Sequence, residues 1–448
     1  MSLWDIFIDD FNIPIGTQKN ERIGCMKMEG MLDKKAARNE TGAVTSQGAP
    51  SSSECVNAAP MTRYVTLLFA IACGMSVANI YFAQPLLDQL SNEFNMDYSI
   101  IGIVITVTQV FYAFGLLLLV PLGDLLNQRR LIIGQMTISA AALVIVGTAS
   151  SGAMLFAGLA LVGLLAVVTQ TIVAFAATMA APAERGRVVG MVTSGIVIGI
   201  LLARTVSGIL KDLAGWRFVY LVSAALMLLM VYALYKVLPN AAHKVKTLSY
   251  AQLLKSVWML FLQERLLRIR AVLAMLIFTA FSMLWTPLVL PLSSPPLSLS
   301  HSAIGAFGLV GVVGALAAAK AGKLADRGDG QRTTGIALFL LLLSWLPIGY
   351  TERSLFALVI GIILLDLAVQ AVHVTNQSMI FALRPKARSR IVGGYMMFYS
   401  IGSAAGSISS THIYAHFGWH GVCVLGASVS TVALIFWAVT KGAKGAAH

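Results

Sequence analysis

Two charged residues stand inside otherwise apolar runs: Arg204 within Leu201-Leu-Ala-Arg-Thr-Val206, and Asp366 within Ile362-Ile-Leu-Leu-Asp-Leu367. A carboxyl group in such a setting can take up and release a proton, and a guanidinium can hold an anionic group or the carboxylate itself. Downstream of Asp366, residues Gln370, His373 and Gln377 follow at spacings of four, three and four, which is one face of a helix. Polar side chains aligned on an apolar helix need a protein interior or a wet cavity to look into. Asn79, Tyr81 and Gln84, then Gln109, Tyr112, Gln170 and Trp285, lie in other apolar runs and are candidates to complete that lining. Two blander readings stand beside this one. Arg204 and Asp366 can form a static buried ion pair, and the amides can be hydrogen-bonding glue between helices, with His373 a neutral, satisfied imidazole.

Other chemistries find little support. His412, His416 and His420 have metal-ligand spacing, yet no carboxylate or cysteine accompanies them, so no metal site is expected. Cys25, Cys55, Cys73 and Cys423 form no Cys-x-x-Cys pair, and Cys73 and Cys423 read as small buried thiols. A phosphate-cradling Gly-x-x-x-x-Gly-Lys-Ser/Thr loop is absent, as is any Ser/His/Asp constellation in a loop. The chain therefore reads as a non-enzyme with no cofactor.

The elements that position Arg204 and Asp366 follow from composition. Of 448 residues 58% are hydrophobic and 11% charged, too little polar surface to cover a water-soluble globule of this size. Apolar runs near the length that crosses a bilayer recur at 64–86, 99–122, 131–150, 153–180, 188–210, 217–238, 271–292, 302–322, 333–350, 354–382, 391–412 and 419–440. They are continuous rather than alternating, which predicts helices and excludes a barrel. The fold class is an all-α integral membrane protein with 12 transmembrane helices. At 1.5 Å per residue, Arg204 and Asp366 fall about 21 Å and about 23 Å from span ends near Gly190 and Phe381, so their depths match.

The formal charge of +13 is placed asymmetrically. With an inside N-terminus, 19 Lys and Arg fall in cytoplasmic loops against three (Lys211, Arg217, Arg353) opposite, which puts both termini in the cytoplasm and excludes nucleic acid as the partner of the positive charge. Residues 1–60 are polar, lack a signal-peptide core and read as a disordered cytoplasmic tail; Met26, Met28, Met31 and Met61 are alternative starts. Residues 239–270 form a basic linker whose Leu253, Val257, Trp258, Leu260 and Phe261 predict an amphipathic helix on the inner leaflet, or a plain connection. The expected domains are 61–238 and 271–440, with 441–448 a short tail.

Those two domains repeat each other. Arg185-Gly-Arg-Val-Val-Gly190 and Arg388-Ser-Arg-Ile-Val-Gly393 each lead into an apolar run, and each is followed at equal distance by a Gly-Trp pair, Gly215-Trp216 and Gly418-Trp419. Ahead of them come Pro121-Leu-Gly123-Asp124-Leu-Leu-Asn-Gln-Arg129-Arg130 and Gly322-Lys-Leu-Ala-Asp326-Arg327-Gly-Asp-Gly-Gln-Arg332. Glycine permits a tight turn, the aspartate suits the positive end of a neighbouring helix, and the arginines suit carboxylates or headgroups. This signature resembles that of the major facilitator superfamily over about residues 61–440. The first copy departs from it at Val120 and Asn127, and the second carries an extra residue within Gly328-Asp329-Gly330. The resemblance implies two pseudo-symmetric six-helix bundles working by alternating access, with the first, fourth, seventh and tenth helices around a central cavity. It also implies a cytoplasmic gate in which Asp124 latches the halves beside Arg129, Glu184 and Arg187; fixing topology alone is the competing role.

In the fifth run Gly195, Gly199, Ala203 and Ser207 place a small residue at every fourth position. That stripe resembles the antiporter signature of the twelve-helix drug:proton antiporter branch, although Ile200 replaces its proline; close helix packing explains it equally. The resulting expectation is a monomeric, multi-pass transporter of the bacterial cell inner membrane, coupling protons to efflux of a small organic or drug-like molecule. A uniporter or proton symporter for a sugar or metabolite, and a non-transporting sensor or vestigial gene product, are the alternatives.

Overall fold

The computed structural model describes residues 62–181, 184–238, 250–324, 329–381, 383 and 388–442, without the side chains of 124, 313–324, 381 and 388–389. The expected tail at 1–60, the loop residues Asp326 and Arg327, and the side chain of Asp124 lie outside that description, and Gly322 is described only as part of a helix. Every regular element among the described residues is helical. The principal helices are α1 (Arg63–Tyr81), α2 (Ile103–Leu118), α3 (Gln128–Gly147), α4 (Gly152–Leu165), α5 (Val168–Met179), α6 (Arg185–Ala214) and α7 (Trp216–Val237). They continue with α8 (Tyr250–Gln263), α9 (Arg265–Trp285), α10 (His301–Leu324), α11 (Gly330–Gly349), α12 (Leu355–Phe381) and α13 (Arg388–Thr440). Among the described residues nine helical stretches are long and apolar enough to cross a membrane, and two shorter apolar helices, Ile103–Leu118 and His301–Val312, accompany them.

Local chemistry sets the boundaries. The Asn127 side chain accepts from the Arg130 amide at 3.3 Å and Ser151 from the Met154 amide at 3.3 Å, capping α3 and α4. Gly215, at φ +85°, separates α6 from α7, and Gly418, at φ +60°, breaks α13 at the equivalent point of the repeat. Three boundaries differ from the sequence expectation. The run 153–180 is two helices, α4 and α5, rather than one. Helix α6 extends to Ala214 and so carries Lys211 and Asp212. Helix α9 starts at Arg265, which brings Arg270 inside the helix, where it is 1% exposed. The linker helix forms as α8, with Leu253, Val257 and Leu260 buried and Trp258 exposed.

The surface, though not the core, is reversed relative to a protein in water. Ile336, Phe339 and Leu346 on α11 and Leu229 and Tyr232 on α7 are exposed, while the interior is a mainly apolar cluster with buried Ser and Thr side chains among it. Lipid is the solvent in which that distribution is favourable. Within the first half of the chain α1 packs on α5, α6 and α7, and α3 on α4 and α7; within the second, α9 packs on α12 and α13, and α10 and α11 on α12. The halves meet chiefly where α6 packs on α10 and α2 on α13. The small-residue stripe has a partner: a Cβ on Gly195 or Gly199 would fall on the backbone of Ala70 or Gly74, so glycine there lets α6 and α1 touch.

Candidate functional site

Arg204 projects from α6 at the seam between the halves and is 3% exposed. Its Nε donates to Gln84 Oε1 at 2.8 Å, from the short 3-10 turn after α1. Its guanidinium lies 3.9 Å from the ring centroid of Trp285 on α9, and 5.4 Å from those of Tyr81 and Phe281. Among the described residues neither Nη group has a hydrogen-bond partner. Desolvated cation–π contacts are worth roughly 2 kcal/mol at best, whereas each unmade hydrogen bond of a buried polar group costs about 1–3 kcal/mol. The aromatic walls therefore hold the charge without satisfying its donors.

Asp366 on α12, also 3% exposed, completes the arrangement through Trp285, whose Nε1–H donates to Asp366 Oδ1 at 3.2 Å. The other carboxylate oxygen has no partner among the described residues and sits against Gly311 of α10. The sequence places Arg204 and Asp366 at matching depth, and the structure brings them to one indole, Arg204 over its face and Asp366 at its N–H. They are coupled electrostatically, and each keeps polar atoms without a partner among the described residues.

The other expected lining residues divide. The Tyr81 hydroxyl hydrogen-bonds to Tyr399 of α13; Gln109 and Tyr112 are buried and Gln170 half-buried. Asn79 instead accepts from Ser223 at 2.7 Å, tying α1 to α7 within one half. Gln370 is half-buried. His373 and Gln377 join a second buried cluster that sequence reasoning missed: Arg270 donates through Nη1 to Thr334 Oγ1 and Asn376 Oδ1, both at 3.2 Å. Asn376 returns Nδ2–H to the Arg270 carbonyl and to Tyr395 at 3.4 Å, and Tyr395 meets His373 Nδ1 at 3.0 Å, with Gln377 on the other ring nitrogen at 3.2 Å. Its signal was hidden because Arg265, Arg268 and Arg270 together read as the basic margin of a loop.

A third cluster bridges the halves where α6 ends and α10 begins. His301 Nε2 lies 3.0 Å from Asp88 and Nδ1 2.6 Å from Lys211 Nζ, and Asp212 accepts from the Ser302 amide and hydroxyl at 2.7 Å. Thr205 donates to the Gly305 carbonyl at 2.8 Å one turn deeper. No group of three metal-ligating side chains occurs among the described residues; His416 bonds to the His412 carbonyl at 2.8 Å.

Of the expected gate residues, Arg129 donates to the Tyr235 carbonyl at 2.8 Å and lies over the Tyr235 ring, so it holds α3 to the end of α7. Gly123 accepts from Gln128 at 3.2 Å, Arg130 gives its amide to the Asn127 cap, and Arg332 lies 3.7 Å from Asp329 at an exposed surface. Glu184 precedes α6, and Arg187 is exposed in its first turn.

Long helices with exposed apolar faces around a buried polar centre define a multi-pass membrane protein. The family model of the Major Facilitator Superfamily matches residues 67–351 and 272–447, and the chain belongs to that family; it is a transporter and not an enzyme. It is 48% identical over 371 residues to the uncharacterized transporter YgaY of Escherichia coli O157:H7, covering 83% of this chain and 94% of that protein. It is 30% identical over 359 residues to SCO4007 of Streptomyces coelicolor, described as a probable transporter, covering 80% and 83%. Among solved structures, an inward-facing bacterial homologue of the human lysosomal transporter Spinster shares the fold at a TM-score of 0.70 and 13% identity, covering 84% of this chain and 96% of that one.

Proposed function

We propose that the chain is a proton-coupled secondary transporter that moves a small organic or drug-like molecule across the bacterial inner membrane by alternating access, as a monomer with both termini cytoplasmic. The nine long stretches, the two shorter apolar helices and the division of α13 at Gly418 support a count of twelve spans, six in each of two halves over 61–238 and 271–440. The observation that carries the reading is the Arg204–Trp285–Asp366 arrangement. Helices of both halves contribute to it, and it holds opposite charges whose remaining polar atoms are unspent. Asp366 is the proton-carrying group, Arg204 its electrostatic partner, and Gln370, His373 and Gln377 line the approach. Asp124, Arg129, Glu184 and Arg187, with Asp326, Arg327 and Arg332, belong to the gate at the cytoplasmic ends.

Export in exchange for protons is the direction supported by the antiporter-like stripe at Gly195 and Gly199. Uptake together with a proton is a second reading, favoured by the two free Nη groups of Arg204, which suit an anion. Reconstituted protein under an imposed pH gradient, screened with a compound panel by an internal pH dye, tests the proposal. Compound-dependent proton flux is expected in the native chain and should vanish in Asp366→Asn; flux in that variant with its full gradient dependence contradicts the assignment.

A further inference from the structure

The groups offered at the centre are donors, which constrains what binds there. Arg204 spends Nε on Gln84 and keeps both Nη groups free, and a small recess beside it is walled by Pro85, Trp285, Leu288 and Ile304. Asp366 is placed differently: Oδ1 accepts from Trp285, and its unpaired Oδ2 is turned against Gly311 rather than into that recess, whose lining includes Arg204 and not Asp366. A cationic ligand in the recess would meet the guanidinium and not the carboxylate. The aromatic faces of Tyr81, Phe281 and Trp285 are already turned toward Arg204 itself. A planar acceptor with two oxygens matches the paired donors of a guanidinium edge, and apolar walls suit an apolar body.

The geometry points to an organic carboxylate as the ligand class, its carboxylate bidentate on the Nη groups of Arg204 and its apolar body along the Pro85, Leu288 and Ile304 walls once the halves part, because the recess in this conformation is about 10 Å³, the size of one water. This rests on the transport reading of the same site. It carries a consequence for coupling: an ionised Asp366 competes electrostatically with the ligand for Arg204, so neutralising Asp366 strengthens binding. Proton and carboxylate then favour each other's binding, which is the coupling that uptake together with a proton requires and exchange does not.

The test uses the purified full chain in detergent, with tryptophan fluorescence and thermal unfolding as readouts. The probes are benzoate and hexanoate, the neutral isostere benzamide, and the cation benzylammonium. Benzoate or hexanoate is expected to bind and to raise the melting temperature, with benzamide and benzylammonium inert. Arg204→Gln should weaken carboxylate binding roughly tenfold to a hundredfold, Arg204→Lys should retain part of it, and Asp366→Asn should tighten it. Size-exclusion profiles verify that each variant is folded. Preference for benzylammonium, absence of binding by both carboxylates, or an unchanged affinity in folded Arg204→Gln overturns the carboxylate class. Proton flux driven by cationic compounds in vesicles would leave the transport reading standing while removing this one; no flux with any compound would remove the transport reading itself.

Discussion

Arg204 and Arg270 are both almost fully buried, yet they are held by different parts of the chain. Arg270 gives Nη1 to neutral acceptors, Thr334 and Asn376, on α11 and α12, while its Nε is unpaired among the described residues, and the surrounding hydrogen bonds continue through Tyr395 and His373 without leaving the second half of the chain. Arg204 is touched by residues of both halves, through Gln84 and Tyr81 on one side and Trp285 and Phe281 on the other, and two of its three nitrogens are left unpaired. Hydrogen bonds within a rigid half persist when the halves rock, whereas contacts across the seam must be remade. A buried charge that fixes structure therefore makes its bonds within one half. One that takes part in a cycle is held from both.

Perturbing each arginine separates the two roles, and the largest effect is expected at Arg270. Arg270→Met should lower stability by about 3 kcal/mol, because Asn376 and Thr334 lose a charged donor in a buried setting; thermal unfolding in detergent reads this, and carboxylate affinity in the folded fraction should hold. Arg204→Gln should do the reverse. Substrate-dependent flux falls by the equivalent of about 2 kcal/mol, the scale of a lost charge-assisted hydrogen bond, while the melting temperature barely moves, since a poorly satisfied charge has been removed. If Arg204→Gln unfolds the protein and Arg270→Met only slows flux, the comparison is inverted.

Smaller perturbations sharpen the same contrast. His301→Ala removes the imidazole between Asp88 and Lys211 at the seam. It should cost about 1 kcal/mol, appearing less in global stability than as a shift in the populations of the two conformations, read by spin-label distances. Tyr399→Phe breaks the hydroxyl pair with Tyr81, another contact between the halves. A still smaller shift in the same direction is expected, on the order of 0.5 kcal/mol.

The helical architecture was legible because continuous apolar runs leave a backbone in lipid few alternatives, and Gly215 and Gly418 announced equivalent breaks. Arg204 and Asp366 were legible as exceptions within those runs. Trp285 was visible as a candidate, but not as the link between them, since nothing in one sequence reports which ring lies over which guanidinium. Phe281 and Tyr399 gave no signal at all, because aromatic residues are ordinary in apolar spans. Arg270 was misplaced into the linker for a physical reason: arginine near a span end obeys the positive-inside pattern whether it faces water or turns inward. The seam cluster of Asp88, Lys211, Asp212 and His301 joins residues far apart in the chain at the ends of different helices, where charge looks like ordinary loop polarity.

The most direct test of the account is a pulsed electron spin resonance distance between labels at Leu213 and Phe356, exposed positions on α6 and α12 in opposite halves of the chain. The account predicts two distances in the native chain, with a ratio that moves with pH and with added carboxylate and is arrested in Asp366→Asn. A single distance unaffected by pH, ligand and that substitution would contradict it.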